Sequence, residues 1–497
     1  MNQAKIAMIG LGVMGKSMAL NLLDRGFNVV GYDINLDNRN RANKEAKSLA
    51  KQHGKGRFVA LDSLTQLLAN LETPRVIALS VPAGEVVDSV IHELIESGLE
   101  AQDIVIDTGN SLWTDSERRE RQYQGKLRFF STAVSGGEVG ARTGPSLMAS
   151  GDESAWQYVK PLWFAIAAKV DNKGMPVGQF EQGEACAAYL GPAGAGHYVK
   201  MVHNGIEYAD MQLICEAYHF MSEILQLTPI QIGQVFARWN QGALNSYLME
   251  ISAEILQTSD PVSGKPFVDV VLDKAEQKGT GLWTSVNALQ MGVPAPTIAQ
   301  AVFARAQSGQ KAMRLRAASA FKQQRNRAEN IDLEPALSHL HDALFCAKLT
   351  VYAQGFDLMK TTSDTEGWAL DFANIAKIWR AGCIIRANFL QDIAQAYQAD
   401  PELENLLLAE RFIEQFELKS YGWRASAAQA VLHGVPMPAV TSALSYFDSL
   451  RCEVLPANLL QAQRDYFGAH SYSRVDDIEQ HRYHLTWSDE KIIQVRV

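Results

Sequence analysis

Short apolar segments alternate with polar, helix-like segments over about the first 193 residues. The apolar segments are rich in β-branched side chains and bounded by turn residues, a pattern typical of β-strands. Strands alternating with helices predict βαβ units around a parallel sheet. The predicted strands are Lys5–Ile9, Asn28–Tyr32, Arg75–Val81, Asp103–Asp107 and Arg128–Thr132.

The pattern changes near Ala195, where strand signals nearly vanish and helical periodicity takes over until about Arg451. The remaining residues are polar, rich in Arg, His and Tyr, and too few to enclose a core of their own. We therefore predict an α/β domain at 1–193, a large all-α domain at 194–451, and a C-terminal tail at 452–497 that packs on another surface, such as a second subunit.

Two pairs of short segments suggest an internal repeat in the helical part. Trp239–Gly242 resembles Trp379–Gly382, which lies 140 residues further on. Glu216–Phe220 matches Tyr352–Phe356 more weakly, at an offset of 136 residues. Duplication of a helical unit would explain both matches. The alternative is that two short matches coincide.

Composition narrows the class of protein. Of the 497 residues, 47% are apolar and 20% are charged, which is ordinary for a globular protein. A net charge of −9 argues against a general nucleic-acid binder, and no apolar run approaches the ~18 residues of a membrane span. The five cysteines have no metal-site spacing, and the first strand begins too early for a signal peptide to precede it. We expect a cytoplasmic protein.

A glycine-rich motif follows the first predicted strand and opens a helix. It reads Gly10-Leu11-Gly12-Val13-Met14-Gly15. In this setting the first glycine permits a tight turn, the second lets the backbone approach a pyrophosphate, and the third lets helix and strand pack closely. The helix N-terminus attracts the anion. The first domain is therefore predicted to be a Rossmann-type dinucleotide-binding domain.

The end of the second strand bears on the choice of dinucleotide. Asp33 lies 18 residues after Gly15, where a carboxylate would accept from the adenosine ribose hydroxyls and repel a 2′-phosphate. An NADP site usually has an arginine next, but Ile34 follows here. These residues favour NAD. The alternative is that Arg39 and Arg41 bind a 2′-phosphate, although a solvated helix face accounts for both.

Further strand ends should meet at the same crevice, because parallel sheets bind ligands beyond the carboxyl ends of their strands. The fourth predicted strand ends at Asp107 and is followed by Asn110, whose amide could contact both cofactor and substrate. The third predicted strand ends in Val81-Pro82-Ala83-Gly84. After the fifth, Ser135-Gly136-Gly137 could form an N–H nest for a carboxylate or be a flexible turn.

One helix concentrates unusual polar side chains. At 100° per residue, Lys200, His203, Asn204, Glu207 and Tyr208 fall within about 140° of one face. Apolar and small residues occupy the opposite face. A plain solvated face would be the alternative, but this one mixes five functional side-chain types and follows a glycine-rich approach.

Taken together, these residues resemble the decarboxylating 6-phosphogluconate dehydrogenase family. The matching strings are GLGVMG at 10–15, SGGEVGA at 135–141, GAGHYVKMVHNGIEY at 194–208, KGTG at 278–281, VFAR at 302–305 and QAQRDYFGAH at 461–470. The resemblance covers essentially the whole chain. It implies a Rossmann-type first domain, a helical domain containing a duplication, and a tail that reaches into the partner of a homodimer.

The resemblance also implies an activity. Members oxidise 6-phosphogluconate at C3 with a nicotinamide dinucleotide, release CO₂ and form ribulose 5-phosphate. Lys200 would be the general base for the C3 hydroxyl, and Glu207 the acid that protonates C1 of the enediol. The sugar acid would be held by Asn110, Ser135, Gly136, Gly137, His203 and Asn204. Tyr208, Lys278, Arg305 and Arg464 would hold the phosphate end, Thr280 and His470 would complete the substrate site, and Arg464 and His470 would come from the other subunit.

The chain departs from the family pattern at the cofactor site. Members usually have Asn-Arg-Ser or Asn-Arg-Thr after the second strand, where the arginine binds the NADP 2′-phosphate; here the residues are Asp33-Ile34-Asn35. Pro82 replaces a common lysine, which removes a possible contact with a cofactor phosphate. After the KGTG string, Leu282 replaces another lysine, and the sequence offers no explanation for this change. NADP is the family's usual cofactor, but we expect NAD here. No metal is expected, because no metal-ligand spacing occurs in the sequence.

Two other functions remain open from the sequence. A related β-hydroxyacid dehydrogenase could act on another sugar acid, and would keep Lys200 without needing a phosphate site. A scaffold protein could keep the fold without activity. Lys278, Arg305 and Arg464 argue against the former, and retention of both Lys200 and Glu207 argues against the latter.

Overall fold

The computed structural model describes residues 3–53, 56–192, 194–277, 279–321, 331–487 and 494–496. Its contacts divide the chain into two compact units, Met1–Ala443 and Leu444–Val497. Within the described ranges, no helix combines the length and apolar character that crossing a bilayer requires.

The N-terminal part of the first unit alternates strands and helices. The strands are β1 Ile6–Ile9, β2 Asn28–Tyr32, β3 Arg57–Ala60, β4 Val76–Leu79, β5 Ile104–Asp107, β6 Arg128–Ser135, β7 Ser146–Gly151, β8 Lys169–Val170, β9 Glu184–Ala185 and β10 Ala187–Tyr189. The helices are α1 Val13–Asp24, α2 Leu36–His53, α3 Leu64–Ala69, α4 Glu85–Glu96, α5 Trp113–Tyr123, α6 Gly137–Thr143 and α7 Glu153–Ile166.

Eight of these strands form one sheet in the order β10-β7-β6-β5-β4-β1-β2-β3. All neighbours are parallel except β6 and β7, which are antiparallel. The run β3-β2-β1-β4-β5-β6 is the strand order of a dinucleotide-binding Rossmann fold. The strands β8 and β9 form a separate antiparallel pair.

The central strands are apolar on both faces because helices cover both sides of the sheet. In β1, Ile6 and Met8 belong to one buried cluster, whereas Ala7 and Ile9 belong to the other. This alternation follows from the two-residue period of a strand. Burial on both faces explains why β1 has no polar residue.

The rest of the first unit is helical. Its helices are α8 Ala195–Glu223, α9 Pro229–Trp239, α10 Tyr247–Gln257, α11 Phe267–Val270, α12 Thr280–Met291, α13 Pro296–Ser308, α14 Lys311–Ala320, α15 Leu333–Glu366, α16 Phe372–Ile378, α17 Phe389–Ala399, α18 Glu410–His433 and α19 Pro438–Leu450, with a 3₁₀ turn at Leu406–Leu408. The last of them, α19, continues into the second unit.

The helical part repeats one arrangement, as the sequence matches predict. A long helix is followed by two shorter ones in α8, α9, α10 and again in α15, α16, α17. The segments between the two shorter helices hydrogen-bond to each other: the Tyr247 amide donates to Arg386 O at 3.0 Å, and the Asn388 amide donates to Asn245 O at 3.0 Å. Corresponding parts of the two copies therefore pair with one another.

The second unit contains α20, Ala457–Gly468, and an antiparallel pair, β11 Tyr483–Leu485 and β12 Gln494–Arg496. Its buried polar centre is Asp465, which is 0% exposed. The Asp465 carboxylate accepts from the Ser471 amide, His484 Nδ1, the Leu485 amide and Trp487 Nε1, at 2.8–3.1 Å. One carboxylate thus ties the end of α20 to β11.

The predicted fold class is confirmed: a Rossmann-type domain precedes a large helical domain. All five predicted strands are present, although β4 ends at Leu79 rather than Val81, and β6 continues to Ser135. The strands β3, β7 and β10 were not predicted. They are short or rich in Ala, Ser and Gly, so their β-propensity is weak and pairing with neighbouring strands stabilises them.

Candidate functional site

The glycine motif forms a tight turn between β1 and α1. Gly10 has φ +89°, and a Cβ there would lie 2.3 Å from Ser80 O. A Cβ on Gly15 would lie 1.9 Å from Gly10 O, so helix and strand could not approach as they do. At Gly12 a Cβ would meet nothing within 4 Å. The backbone at Gly12 is therefore open to a ligand, which fits a bound pyrophosphate.

A crevice of about 340 Å³ opens at this edge of the sheet. It brings together the ends of β1, β4 and β5, as the sequence predicts. Its walls include Gly12, Val13, Met14, Ser80, Val81, Pro82, Ala83, Thr108, Gly109 and Asn110. The side chain of Leu11 points elsewhere, into the core, where it is 2% exposed.

The side chain of Asp33 hydrogen-bonds to the backbone of the glycine motif. Its carboxylate accepts from the Leu11 amide at 2.7 Å, from the Asn35 amide at 2.8 Å and from Asn38 Nδ2 at 3.1 Å. A carboxylate offers about four acceptor positions. These three bonds leave Asp33 roughly one position for a ribose hydroxyl.

The residues beside Asp33 bear on a 2′-phosphate. Ile34 is 87% exposed, so the side chain that follows Asp33 is apolar and offers a phosphate no charge. The Arg39 guanidinium donates to Asp33 O at 2.7 Å and lies 3.7 Å from Asp62 Oδ1. Arg41, eight residues beyond Asp33, donates to Asn38 Oδ1 at 2.6 Å. Asn35 accepts from the Asp37 amide at the start of α2.

Helix α8 carries the lysine that the sequence predicts as a base. Lys200 is buried, and its Nζ lies 2.9 Å from Ser135 Oγ and 3.2 Å from His203 Nδ1. Burial lowers the pKa of Lys200, and the charges of Glu207 and Cys383 oppose this shift. A lowered pKa increases the neutral fraction of the amine, the form able to accept a proton.

His203 and Glu207 continue the polar face along the helix. His203 Nδ1 lies 3.8 Å from Glu207 Oε2 and 3.1 Å from Asn204 Oδ1, and Nε2 lies 3.3 Å from Ser135 Oγ. Burial and the nearby Lys200 charge lower the pKa of His203 well below its usual value. Burial raises the pKa of Glu207, against the opposing charges of Lys200 and Arg305. The face therefore favours a neutral base and a protonated acid.

Ser135, the last residue of β6, lies beside Lys200 at the point where the chain makes a sharp turn. Gly136 has φ +104° and Gly137 has φ +62°, so the backbone turns sharply where β6 ends. A Cβ on Gly136 would lie 2.6 Å from Gly382 O, whereas one on Gly137 would meet nothing within 4 Å. The turn is thus packed on one side and open on the other, which is compatible with a ligand on its open side.

The predicted phosphate residues are only partly assembled in the described chain. The Arg305 guanidinium carbon lies 3.7 Å from the Tyr208 ring centroid, a cation–π contact. Arg305 Nη1 also donates to Glu276 O at 3.0 Å. Thr280 begins α12. Lys278 lies outside the described residues.

Arg464 and His470 belong to the second unit and are exposed there. Arg464 Nη1 donates to Gln461 Oε1 at 3.2 Å. His470 follows the end of α20 and packs edge-on against Phe467.

Some residues around the site had no role in the sequence analysis. Gly382 supports the Gly136 turn, and its only signal was membership of the repeated Trp–Gly segment. His197, Ser116 and Arg119 are buried polar residues beside the crevice. His197 lies within the matched string at 194–208, yet nothing local distinguished it from a core histidine. In the ranges described, no three His, Cys, Asp or Glu side chains are grouped as metal ligands would be.

Comparison with known families gives matches over nearly the whole chain. Residues 5–174 match the family described as the NAD binding domain of 6-phosphogluconate dehydrogenase. Residues 196–487 match the family described as 6-phosphogluconate dehydrogenase, C-terminal domain.

Individual relatives are similar along most of their lengths. The NADP(+)-dependent, decarboxylating 6-phosphogluconate dehydrogenase of Bacillus subtilis is 46% identical over 488 residues, covering 98% of this chain and 100% of that protein. The decarboxylating 6-phosphogluconate dehydrogenase of Candida albicans is 46% identical over 94% of this chain and 87% of that protein.

A solved structure also matches. The 6-phosphogluconate dehydrogenase of Plasmodium falciparum, described in its apo form, with its cofactor NADP+ and with its substrate 6-phosphogluconate, superposes with a TM-score of 0.91. It is 39% identical and covers 97% of this chain and 100% of that chain.

Proposed function

The chain belongs to the 6-phosphogluconate dehydrogenase family, and on that premise we propose that it catalyses the oxidative decarboxylation of 6-phosphogluconate to ribulose 5-phosphate and CO₂. The observation that carries this proposal is the environment of Lys200. A buried amine with a lowered pKa stands beside Ser135 and His203, on a helix that follows the dinucleotide-binding domain.

Lys200 is proposed as the base and then as the acid at one oxygen. When bound, the nicotinamide ring accepts the hydride that leaves C3 of the substrate. Lys200 takes the proton of the C3 hydroxyl, so that C3 becomes a ketone. The protonated Lys200 then donates to the ketone oxygen. As CO₂ leaves, the electron pair of the C1–C2 bond forms the C2=C3 double bond of the enediol, and the π pair of the C3 carbonyl moves to this oxygen.

Glu207 is proposed to complete the reaction. The enediol left after loss of CO₂ must gain a proton at the carbon that becomes C1 of ribulose 5-phosphate. Glu207 is one helical turn beyond His203, and burial raises its pKa. A carboxyl group that retains its proton nearer to neutral pH can supply it.

The two ends of the substrate need different partners. We assign the carboxylate and hydroxyl end to Asn110, Ser135, Gly136, Gly137, His203 and Asn204. We assign the phosphate end to Tyr208, Lys278, Thr280, Arg305, Arg464 and His470. Cationic side chains and hydroxyl donors are the groups that hold a phosphate dianion.

We further propose that NAD is the preferred cofactor. A 2′-phosphate would lie near Ile34, which offers no charge, and near the Asp33 carboxylate, which would repel it. Arg39 is engaged by the Asp33 carbonyl and by Asp62. The ribose of NAD requires only a hydroxyl partner at this position.

The proposed assembly is a cytoplasmic homodimer in which the tail of each chain reaches the site of its partner. The support is the family's pattern for the string at 461–470, together with two observations on the second unit. Arg464 is exposed on α20, and Asp465 on the same helix fixes the fold of that unit.

An initial-rate assay tests the activity. The protein is supplied with 6-phosphogluconate and NAD or NADP, and reduced cofactor and CO₂ are measured; we expect equal amounts of both. Lys200→Met should bind cofactor normally but lower kcat by roughly a thousandfold or more, given what a positioned base contributes. Normal turnover by Lys200→Met would contradict the assignment. Equal rates with gluconate would indicate a sugar-acid dehydrogenase without phosphate recognition.

A second assay tests the cofactor preference. We expect kcat/KM to be higher for NAD than for NADP. Ile34→Arg should raise kcat/KM for NADP by roughly 10- to 100-fold, since one charge-assisted hydrogen bond is worth about 1.5–3 kcal/mol. Ile34→Gln, which adds polarity without charge, is the matched control and should change it little. A native preference for NADP would contradict this proposal while leaving the activity intact.

A further inference from the structure

His197 is a buried histidine one helical turn before Lys200. Its side chain contacts the wall of the cofactor crevice rather than the predicted substrate residues. His197 is 2% exposed. Its Nε2 lies 3.0 Å from Gly109 O, and its Nδ1 lies 2.7 Å from Ser116 Oγ. A carbonyl oxygen only accepts, so Nε2 carries a proton. Burial lowers the pKa of His197, which favours the neutral ring, and in that form Nδ1 accepts from the Ser116 hydroxyl.

Gly109 belongs to the turn that lines the crevice between β5 and α5. Its amide donates to Asp107 Oδ1 at 2.9 Å, and its carbonyl accepts from His197. The Ser111 hydroxyl donates to the other carboxylate oxygen of Asp107 at 2.6 Å. The turn is therefore fixed from two sides, and Asn110 projects from it into the crevice.

Helix α5 braces a second loop of the same crevice. Arg119 lies one turn after Ser116 and is fully buried. It donates to Gly84 O at 2.8 Å, pairs with Asp88 at 2.9 Å, and lies 3.4 Å from Asp107. The loops after β4 and β5 are thus both held by α5. His197 joins this assembly to α8, the helix that carries Lys200.

We propose that His197 is a positioning residue for hydride transfer. By holding Gly109, it fixes the distance from the crevice wall that carries Asn110 to the helix that carries Lys200. Reacting atoms must approach within about 3–3.5 Å, and a displacement of about 1 Å can lower the rate by a factor of about 100. This inference rests on the proposed function, because it assumes hydride transfer in the crevice.

Two substitutions separate the two contacts of His197. The short amide side chain introduced by His197→Asn would reach only as far as Nδ1, so it keeps the Ser116 contact and loses Gly109. The longer amide introduced by His197→Gln can place a donor near the position of Nε2 and keep Gly109. His197→Asn should therefore impair the reaction, and His197→Gln should largely restore it.

The measurement is kcat, KM and the primary deuterium isotope effect with 6-phosphogluconate deuterated at C3. His197→Asn should lower kcat by roughly 10- to 100-fold and raise the isotope effect on kcat/KM, because hydride transfer becomes slower relative to binding. KM for 6-phosphogluconate should change much less. His197→Gln should give the native isotope effect. His341→Asn, at a partly buried histidine on α15 that packs against Trp239, is the control.

The outcomes distinguish three situations. A lower kcat for His197→Asn with an unchanged isotope effect would mean a loss of folded enzyme, and would overturn the inference. Native kcat in His197→Asn would also overturn it. If His197→Asn does not fold, Ser116→Ala is measured instead. It keeps the imidazole but removes the hydroxyl that holds Nδ1, so it should raise the isotope effect in the same direction. An unchanged isotope effect in Ser116→Ala would overturn the inference. An inactive native protein would instead contradict the proposed function.

Discussion

Among the residues that the structure describes, two lysines are buried in the helical part of the first unit, and their nearest partners differ in charge. Lys348 is completely buried on α15, and its Nζ lies 2.5 Å from Asp210 Oδ1 on α8. Lys200 has a hydroxyl and an imidazole as its nearest polar neighbours. Lys348 is therefore paired with a buried carboxylate, whereas burial lowers the pKa of Lys200 and so favours its free amine. One lysine is therefore suited to structure and the other to proton transfer.

The ion pair between Lys348 and Asp210 is expected to contribute to the stability of the folded protein. Lys348→Met would leave the Asp210 carboxylate buried without a partner, and should lower the free energy of unfolding by about 3–5 kcal/mol. Urea denaturation measures the change. The double variant Lys348→Met, Asp210→Asn should recover most of the loss, and Lys200→Met should cost far less. Equal losses for Lys348→Met and Lys200→Met would show that the carboxylate partner is unimportant.

Glu216 predicts a pH dependence of stability. It is buried on α8 and accepts from the amides of Ala439 and Val440 at 2.8 and 2.9 Å, and from Gln212. Burial raises the pKa of Glu216 from its ordinary value of 4.5 to about 7, and these hydrogen bonds oppose the rise. Between these two pH values the folded state binds the proton more tightly than the unfolded state. The free energy of unfolding from this group therefore falls as pH rises through that interval.

The measurement compares denaturation at pH 5 and pH 8. The native protein should lose about 3 kcal/mol more than Glu216→Gln over this range, at about 1.4 kcal/mol per pKa unit. Glu223→Gln, near the end of the same helix, controls for the change of charge and should keep the native slope. Parallel pH profiles for the native protein and Glu216→Gln would contradict the prediction.

At the scale of single residues, the sequence identified the types of functional side chain better than the groups to which they hydrogen-bond. It placed Asp33 at the cofactor, but the hydrogen bond from the Leu11 amide joins residues 22 apart and depends on the packing of β1 beside β2. It left Arg39 open as a phosphate ligand, and only the folded α2 brings that side chain to the Asp33 carbonyl. Such contacts depend on tertiary structure, which local patterns do not contain.

At the scale of elements, the two copies of the helical unit have diverged at one turn. In the second copy, Gly382 has φ +70°, and a Cβ there would lie 2.6 Å from Gly144 O. Its carbonyl oxygen lies against Gly136 in the turn that carries Ser135. In the first copy, a Cβ on Gly242 would come no nearer than 3.8 Å to Trp239 O. Of these two glycines, only Gly382 packs against the turn beside Ser135.

This difference predicts unequal effects of the same substitution. Gly382→Ala should destabilise the protein by about 1–3 kcal/mol from backbone strain and close contact, and should lower kcat because Ser135 shifts relative to Lys200. Gly242→Ala, the matched control, should be neutral or stabilise slightly. Thermal melts and initial rates measure both. Similar behaviour of the two variants would mean that the Gly136 contact is not needed.

The elements that the sequence missed share a physical cause. β1 and β2 were predicted because β-branched residues and flanking turns mark them locally. β7 contains Ser, Ala and Gly, and β10 is only three residues long. Both are strands because they pair across β6 and β7. Their identity depends on neighbours rather than on their own residues.

At the scale of the whole molecule, the proposal assigns Arg464, a residue of the second unit, to the phosphate end of a partner chain's site. Arg464 flanks Asp465, and Asp465 accepts four hydrogen bonds that organise residues 465–487. The backbone at Arg464 is therefore part of a hydrogen-bonded structure within the second unit. In a symmetric dimer, exchange of this unit would give each site residues from two chains.

Hybrid dimers test that exchange. Lys200→Met and Arg464→Met chains carrying different affinity tags are co-expressed, and the mixed dimer is purified through both tags. If Arg464 serves the partner's site, one site of the mixed dimer contains both substitutions and the other contains neither. The mixed dimer should then show about half of the native kcat, although each parent variant is strongly impaired.

The control pairs Lys200→Met with Glu207→Gln. Both residues lie on α8 of one chain, so each site of that mixed dimer carries one defect and no activity should return. Recovery in the first pair and not in the second would assign Lys200 and Arg464 to different chains at one site. If neither pair recovers although both mixed dimers form, Arg464 serves the site of its own chain, or none. In that case the tail would stabilise the protein without completing a neighbour's phosphate site.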